Sequence, residues 1–116
     1  FSKTSTVVGS PYWLAPELLT HTDGYDAQKA DIYSLGNTIC EMITGRPPWP
    51  EKSNGPQAIL MIAQAEYPTQ LPTVESGAIT ENCLSFVKRC FVKEPKARPS
   101  SQELLQDPWL NGKIDP

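Results

Sequence analysis

Few side chains in this sequence are placed to do chemistry, and the one that stands out is Asp31. It opens the run Asp31-Ile32-Tyr33-Ser34-Leu35-Gly36-Asn37-Thr38-Ile39-Cys40-Glu41-Met42-Ile43. There Ile32, Leu35, Ile39 and Met42 recur at helical spacing, and Tyr33, Cys40 and Ile43 carry apolar surface to a second side. An ionised carboxylate among such neighbours is costly unless donors satisfy it. Either the acid holds a donor-bearing segment or it is an ordinary solvated helix acid. His21 is the single histidine and has no partner at metal or general-base spacing, so it reads as a solvated loop residue. Cys40, Cys83 and Cys90 make an odd count without CxxC or Cys/His spacing, which predicts core thiols instead of a disulfide framework or a zinc site.

These groups need a scaffold, and the patterning predicts a helical one. A helix apolar on more than one side must be surrounded, so the Asp31 run is the expected central post, with Asp26 as N-cap and Gly45 as stop before Pro47-Pro48. A short helix should begin at Ala15-Pro16-Glu17, where Pro fits the first turn. Pro56 can open another, with Ala58, Ile59, Ile62 and Ala63 on one face and Leu60 and Met61 widening it. From Tyr67 to Ile79 three turn formers and no period predict loop. Thr80 then caps a helix whose inward side is Cys83, Leu84, Val87, Cys90 and Phe91, with Lys88 and Arg89 facing out. Ser100 and Glu103 have capping-box spacing, followed by Leu104 and Leu105. Asp107-Pro108-Trp109-Leu110 closes the last helix, and Trp13, Trp49 and Trp109 are the expected anchors of core and joints. No strand and no internal repeat is apparent.

Composition narrows the function classes. A chain of 116 residues has room for one core. Its twelve prolines cluster in joints between helices. A net charge of −3 and a pI near 5.0 provide no basic field for nucleic acid. No apolar run approaches the roughly 18 residues of a membrane span, and no secretory leader opens the chain. A cytoplasmic protein is the resulting expectation. The polar start without Met reads as a cut piece of something longer.

Three short motifs occur in order: Gly9-Ser10-Pro11-Tyr12-Trp13-Leu14-Ala15-Pro16-Glu17, then Asp31-Ile32-Tyr33-Ser34-Leu35-Gly36, then Arg98-Pro99-Ser100. Together they resemble the C-terminal lobe of a eukaryotic protein kinase from the activation segment onward, over about Thr4 to Leu110; Ala-Pro-Glu is the motif that closes that segment. Lys29-Ala30-Asp31-Ile32, Gly45-Arg46-Pro47-Pro48-Trp49 and Asp107-Pro108-Trp109-Leu110 add similarity to sterile-group kinases, particularly MAP kinase kinase kinases. The implied fold is mainly α, a helical C-terminal lobe around a buried central helix, with the N-terminal lobe and catalytic loop absent. Residues 1–14 would be the activation segment and substrate-residue loop, 15–110 the helical part of the kinase domain, and 111–116 a tail.

The resemblance also implies roles. Asp31 would accept hydrogen bonds from backbone amides of the catalytic loop. Glu17 and Arg98 would form a buried ion pair tying the end of the activation segment to the loop before the last helix, and Trp13 would be a structural residue, an anchor of the core. Ser10 stands where Ser/Thr-specific kinases place a hydroxyl that reaches the catalytic aspartate and the acceptor; the family usually has Thr there. Val7, Val8, Gly9, Pro11 and Tyr12 would line the pocket for the substrate residue just after the acceptor. Thr6 is the implied site of an activating phosphate, with Ser5 and Thr4 as competitors, unless the cluster is simply solvated loop.

The implied reaction moves the γ-phosphoryl group of ATP, with Mg2+, to a Ser or Thr hydroxyl of a protein substrate such as a MAP kinase kinase. The activator would be an upstream kinase or the protein itself. The Gly-rich loop, the strand lysine and its glutamate, the catalytic Asp and Asn and the Mg2+-binding Asp would all precede Phe1. The chain therefore contributes no catalytic residue and should be inactive alone. The alternative is a pseudokinase or scaffold module whose upstream residues have lost the catalytic groups.

Overall fold

The computed structural model describes residues 15–20, 26–49 and 55–112; for 19, 20 and 55–59 it describes the backbone alone. Among the described residues the regular structure is helical, with no strand. The order is α1 (Pro16–Thr20), α2 (Ala27–Thr44), α3 (Gly55–Gln64), α4 (Glu81–Cys90), α5 (Ser101–Leu104) and α6 (Pro108–Asn111).

Local chemistry sets most of these boundaries. Asp26 has an extended backbone, and its Oδ1 accepts from the N–H groups of Gln28 (3.0 Å) and Lys29 (3.3 Å), so two orphan donors of α2 are satisfied. At the other end Gly45 adopts φ 72° and donates to the Glu41 carbonyl (2.7 Å). A left-handed turn costs a side chain about 1–2 kcal/mol, hence glycine. Thr80 caps α4 by accepting from Cys83 N–H (3.2 Å). Ser100 and Glu103 form the reciprocal capping box of α5 at 3.1 and 2.8 Å.

α2 packs against α4, α1 against α3, and α4 against α6. The α2–α4 seam is tight because Gly36 faces it: a Cβ there would stand 2.9 Å from Cys90 Cβ and from the Phe91 ring. Ile32, Tyr33, Ile39 and Cys40 of α2 meet Phe86, Val87, Cys90 and Phe91 across it. All three cysteines are free and buried. Pro48 and Trp49 are buried too, and the Pro48 carbonyl accepts from Gln70 N–H and Thr69 Oγ1, both at 3.3 Å.

Four readings need correction. Leu35 and Met42 are 40% and 73% exposed, so α2 is sheathed on one side only among the described residues. At about 100° per residue the buried arc centres on Gly36, Cys40 and Tyr33, and Leu35 and Met42 fall just beyond its edge. The Tyr67–Ile79 stretch contains a 3-10 turn, Val74–Ser76, capped by Thr73 and ended by Gly77 at φ 81°; three residues are too few to register as a period. Arg89 does not simply face out: it donates to the buried Asp107 carboxylate (2.5 Å), whose other oxygen caps α6 through Trp109 N–H (2.9 Å). Asn111 belongs to α6, and its amide donates to the carbonyls of Leu105 and Asp107.

Candidate functional site

The best-defined polar construction among the described residues is built on Arg98. Its guanidinium is buried, with Arg98 1% and Glu17 3% exposed. Nη1 donates to Glu17 Oε2 (2.8 Å) and to the Lys29 carbonyl (2.7 Å). Nη2 donates to Glu17 Oε1 (3.0 Å) and to the Lys93 carbonyl (3.2 Å), and Nε to the Val92 carbonyl (2.7 Å). A guanidinium has five N–H donors, and here each one has an acceptor. The carboxylate takes the bidentate pair that arginine geometry suits and lysine does not.

Short elements deliver these groups. Pro16 starts α1 so that Glu17 falls in its first turn, where an acid also meets the positive end of the helix. Arg98 follows the turn in which its own N–H donates to the Glu94 carbonyl (3.0 Å), and Pro99 stops the chain from continuing as helix. α2 supplies the remaining contacts from one face. The Lys29 carbonyl accepts from Arg98, and Lys29 Nζ donates back to the Arg98 carbonyl. One turn on, the Tyr33 ring centroid lies 5.1 Å from the guanidinium carbon, and the ring meets Phe91 at 67° in a T-shaped pair. Burial pushes the Tyr33 phenol well above its ordinary pKa, against the opposing pull of Arg98, so it stays neutral.

The structure thus brings Glu17 and Arg98 together, although they are far apart in sequence. It does not bring Asp31 to them. Asp31 is exposed, and its carboxylate has no hydrogen bond or ion pair among the described residues. It shares the outer face of α2 with Leu35, Thr38 and Met42. Thr4, Ser5, Thr6, Val7, Val8, Gly9, Ser10, Pro11, Tyr12, Trp13 and His21 lie outside the described residues. The sequence motifs name Lys29 but point to no partner for it, and to no contact of the Tyr33 ring with Arg98. A signal for Lys29 existed, since a cation in the first turn of a helix opposes the dipole and calls for another partner.

No three His, Cys, Asp or Glu side chains among the described residues converge as a metal site would require. No helix among the described residues is long and apolar enough to cross a membrane.

Comparison with known proteins agrees with the motifs and the architecture. The protein kinase domain family matches residues 2–110. The chain is 42% identical over 108 residues to the mitogen-activated protein kinase kinase kinase nsy-1 of Caenorhabditis elegans, covering 92% of this chain and 7% of the relative. It is 36% identical over 110 residues to mitogen-activated protein kinase kinase kinase 3 of Arabidopsis thaliana, covering 95% and 17%. It is 39% identical over 106 residues to the MAP kinase kinase kinase win1 of Schizosaccharomyces pombe, covering 90% and 7%. The chain spans a small part of each relative's length. The match over most of the chain, the ordered motifs and the Glu17–Arg98 clamp converge: the chain belongs to the protein kinase domain family.

Proposed function

We propose that this chain is the substrate-docking and regulatory half of a protein serine/threonine kinase that phosphorylates protein substrates, MAP kinase kinases among them, in cytoplasmic signalling. The clamp is the observation that carries the reading. A buried, bidentate tie from Arg98 to Glu17 fixes the end of the segment Gly9 to Glu17, and a rigid terminus is what a substrate loop requires to present its residues in register. Ser10 would orient the acceptor hydroxyl, and Val7, Val8, Gly9, Pro11 and Tyr12 would form the wall beside it. Ser at position 10, in place of a tyrosine-kinase wording, favours Ser and Thr as acceptors.

Asp31 and its exposed neighbours fit a docking role for the catalytic loop: a carboxylate without an internal partner beside Leu35 offers acceptors and apolar surface together. Thr6, with Ser5 and Thr4 as alternatives, would receive the activating phosphate, adding about 1.5–2 negative charges to the loop. ATP and Mg2+ belong to the other half of the kinase and supply the phosphoryl group and its charge neutralisation when bound.

The test uses the full-length gene product, radiolabelled ATP and a MAP kinase kinase substrate. Phosphoserine or phosphothreonine should appear on the substrate, and residues 1–116 alone should give none. A full-length protein with no transfer would leave the pseudokinase reading in its place.

A further inference from the structure

The exchange between Lys29 and Arg98 is reciprocal. The Arg98 side chain donates to the Lys29 carbonyl (2.7 Å), and the Lys29 side chain donates to the Arg98 carbonyl. The Arg98 guanidinium alone joins α1, the 92–93 loop and α2, through Glu17, Val92, Lys93 and the Lys29 carbonyl. The Lys29 ammonium adds a second tie to the central helix, this one on the Arg98 main chain. It also fixes Arg98 at both ends, since one bond restrains its guanidinium and the other its main chain. Tyr33, one turn along α2, covers the face of the same guanidinium.

The Lys29 ammonium has a further claim to purpose. It sits in the first turn of α2, next to the N–H groups that Asp26 caps, where its charge is unfavourable towards the helix dipole. Its half-buried stem and the long-range bond to Arg98 offset that cost.

We propose that Lys29 is a positioning residue for the substrate loop: by holding Arg98 against α2, it sets where Glu17, and with it the end of the segment that meets the protein substrate, stands relative to the central helix. This rests on the kinase reading above. Among the described residues the Lys29 ammonium bonds to the Arg98 carbonyl. It acts through Arg98 and Glu17, so its loss should penalise transfer to a protein acceptor more than the ATP-directed part of the reaction.

The experiment compares wild type, Lys29→Met and Lys29→Arg in the full-length protein. Methionine keeps an unbranched apolar stem and removes the donor; arginine restores charge and donors. Three quantities are read below the melting temperature of every variant: kcat/KM for the protein substrate, ATP hydrolysis without acceptor, and hydrogen exchange of the α1 amides. For K29M, kcat/KM should fall by about two- to thirtyfold, the range for a coupling contact outside a site, and by a larger factor than hydrolysis. α1 amides should exchange faster while those of α4 keep their protection. K29R should recover most of the loss. Equal losses in both activities, an unchanged kcat/KM, or unchanged α1 exchange would overturn the proposal. If K29M does not accumulate folded, Lys29→Gln gives the same comparison. An inactive wild type would instead refute the kinase reading, while the exchange measurement would still report on the tie.

Discussion

Replacing Arg98 with lysine keeps the charge, so any large effect must come from geometry. The guanidinium serves five acceptors: two oxygens of Glu17 and the carbonyls of Lys29, Val92 and Lys93. An ammonium has three donors on a single atom, so at least two acceptors lose their partner. With Arg98 1% exposed, water does not replace it. Each orphaned buried acceptor costs about 1–3 kcal/mol, which sets the lysine variant at about 2 kcal/mol or more. Arg98→Met removes the charge as well and leaves the Glu17 carboxylate buried alone, at about 3–5 kcal/mol. Against a total of about 5–15 kcal/mol, either is a large fraction. Urea unfolding of the full-length protein, followed by tryptophan emission, measures both, since Trp49 is fully buried. The double variant Glu17→Gln/Arg98→Met should cost less than the sum of the single ones by at least about 1 kcal/mol, because the second change removes the stranded partner. A lysine variant as stable as wild type, or strict additivity in the cycle, would refute the five-donor account.

Two other changes probe the α2–α4 seam. Gly36→Ala puts a methyl 2.9 Å from Cys90 Cβ and the Phe91 ring, so the helices must part, at about 1–3 kcal/mol; a melting temperature equal to wild type would contradict this. Burial pushes the Cys40 and Cys90 thiols from 9.0 up to about 12, so at pH 8 a thiol reagent should modify them only as fast as the protein opens. The sign for stability follows from the raised values. The fold favours the neutral thiol, so their contribution is intact below pH 9 and is lost as pH climbs towards 12. Constant stability across that alkaline range, or rapid labelling of the native protein, would count against it.

Much of the scaffold could be read from the sequence because its signals are local. Asp26, Thr80 and the Ser100–Glu103 box act on N–H groups two or three residues away, and Gly45 answers a backbone angle at its own position. Features decided by distant partners were less legible. Leu35 and Met42 have the spacing of buried residues, but which edge of a broad apolar arc stays outside depends on what packs against it. Arg89 looked like a surface cation because its partner, Asp107, stands eighteen residues on, in the run that reads only as the close of the last helix. Only family resemblance set Glu17 against Arg98. Three of the five Arg98 acceptors are main-chain carbonyls, which every residue type carries, so no residue pattern could have named them.

That mixture of side-chain and main-chain acceptors also governs how the clamp can fail. Glu17 is held through its side chain, whereas Lys29, Val92 and Lys93 are held through their backbone. Substitution at Val92 or Lys93 leaves the carbonyl in place, and only movement of the chain withdraws it. The α2 and 92–93 contacts therefore form a fixed seat, and Glu17 is the acceptor that a side-chain change, or displacement of the short α1, can remove. Displacement would leave the buried Arg98 guanidinium without its counter-charge and with two donors unpaired, an outcome dearer than the docked state. The seat accordingly favours a fully docked α1 over any partly withdrawn position, and the segment ending at Glu17 inherits a single anchor point from that preference.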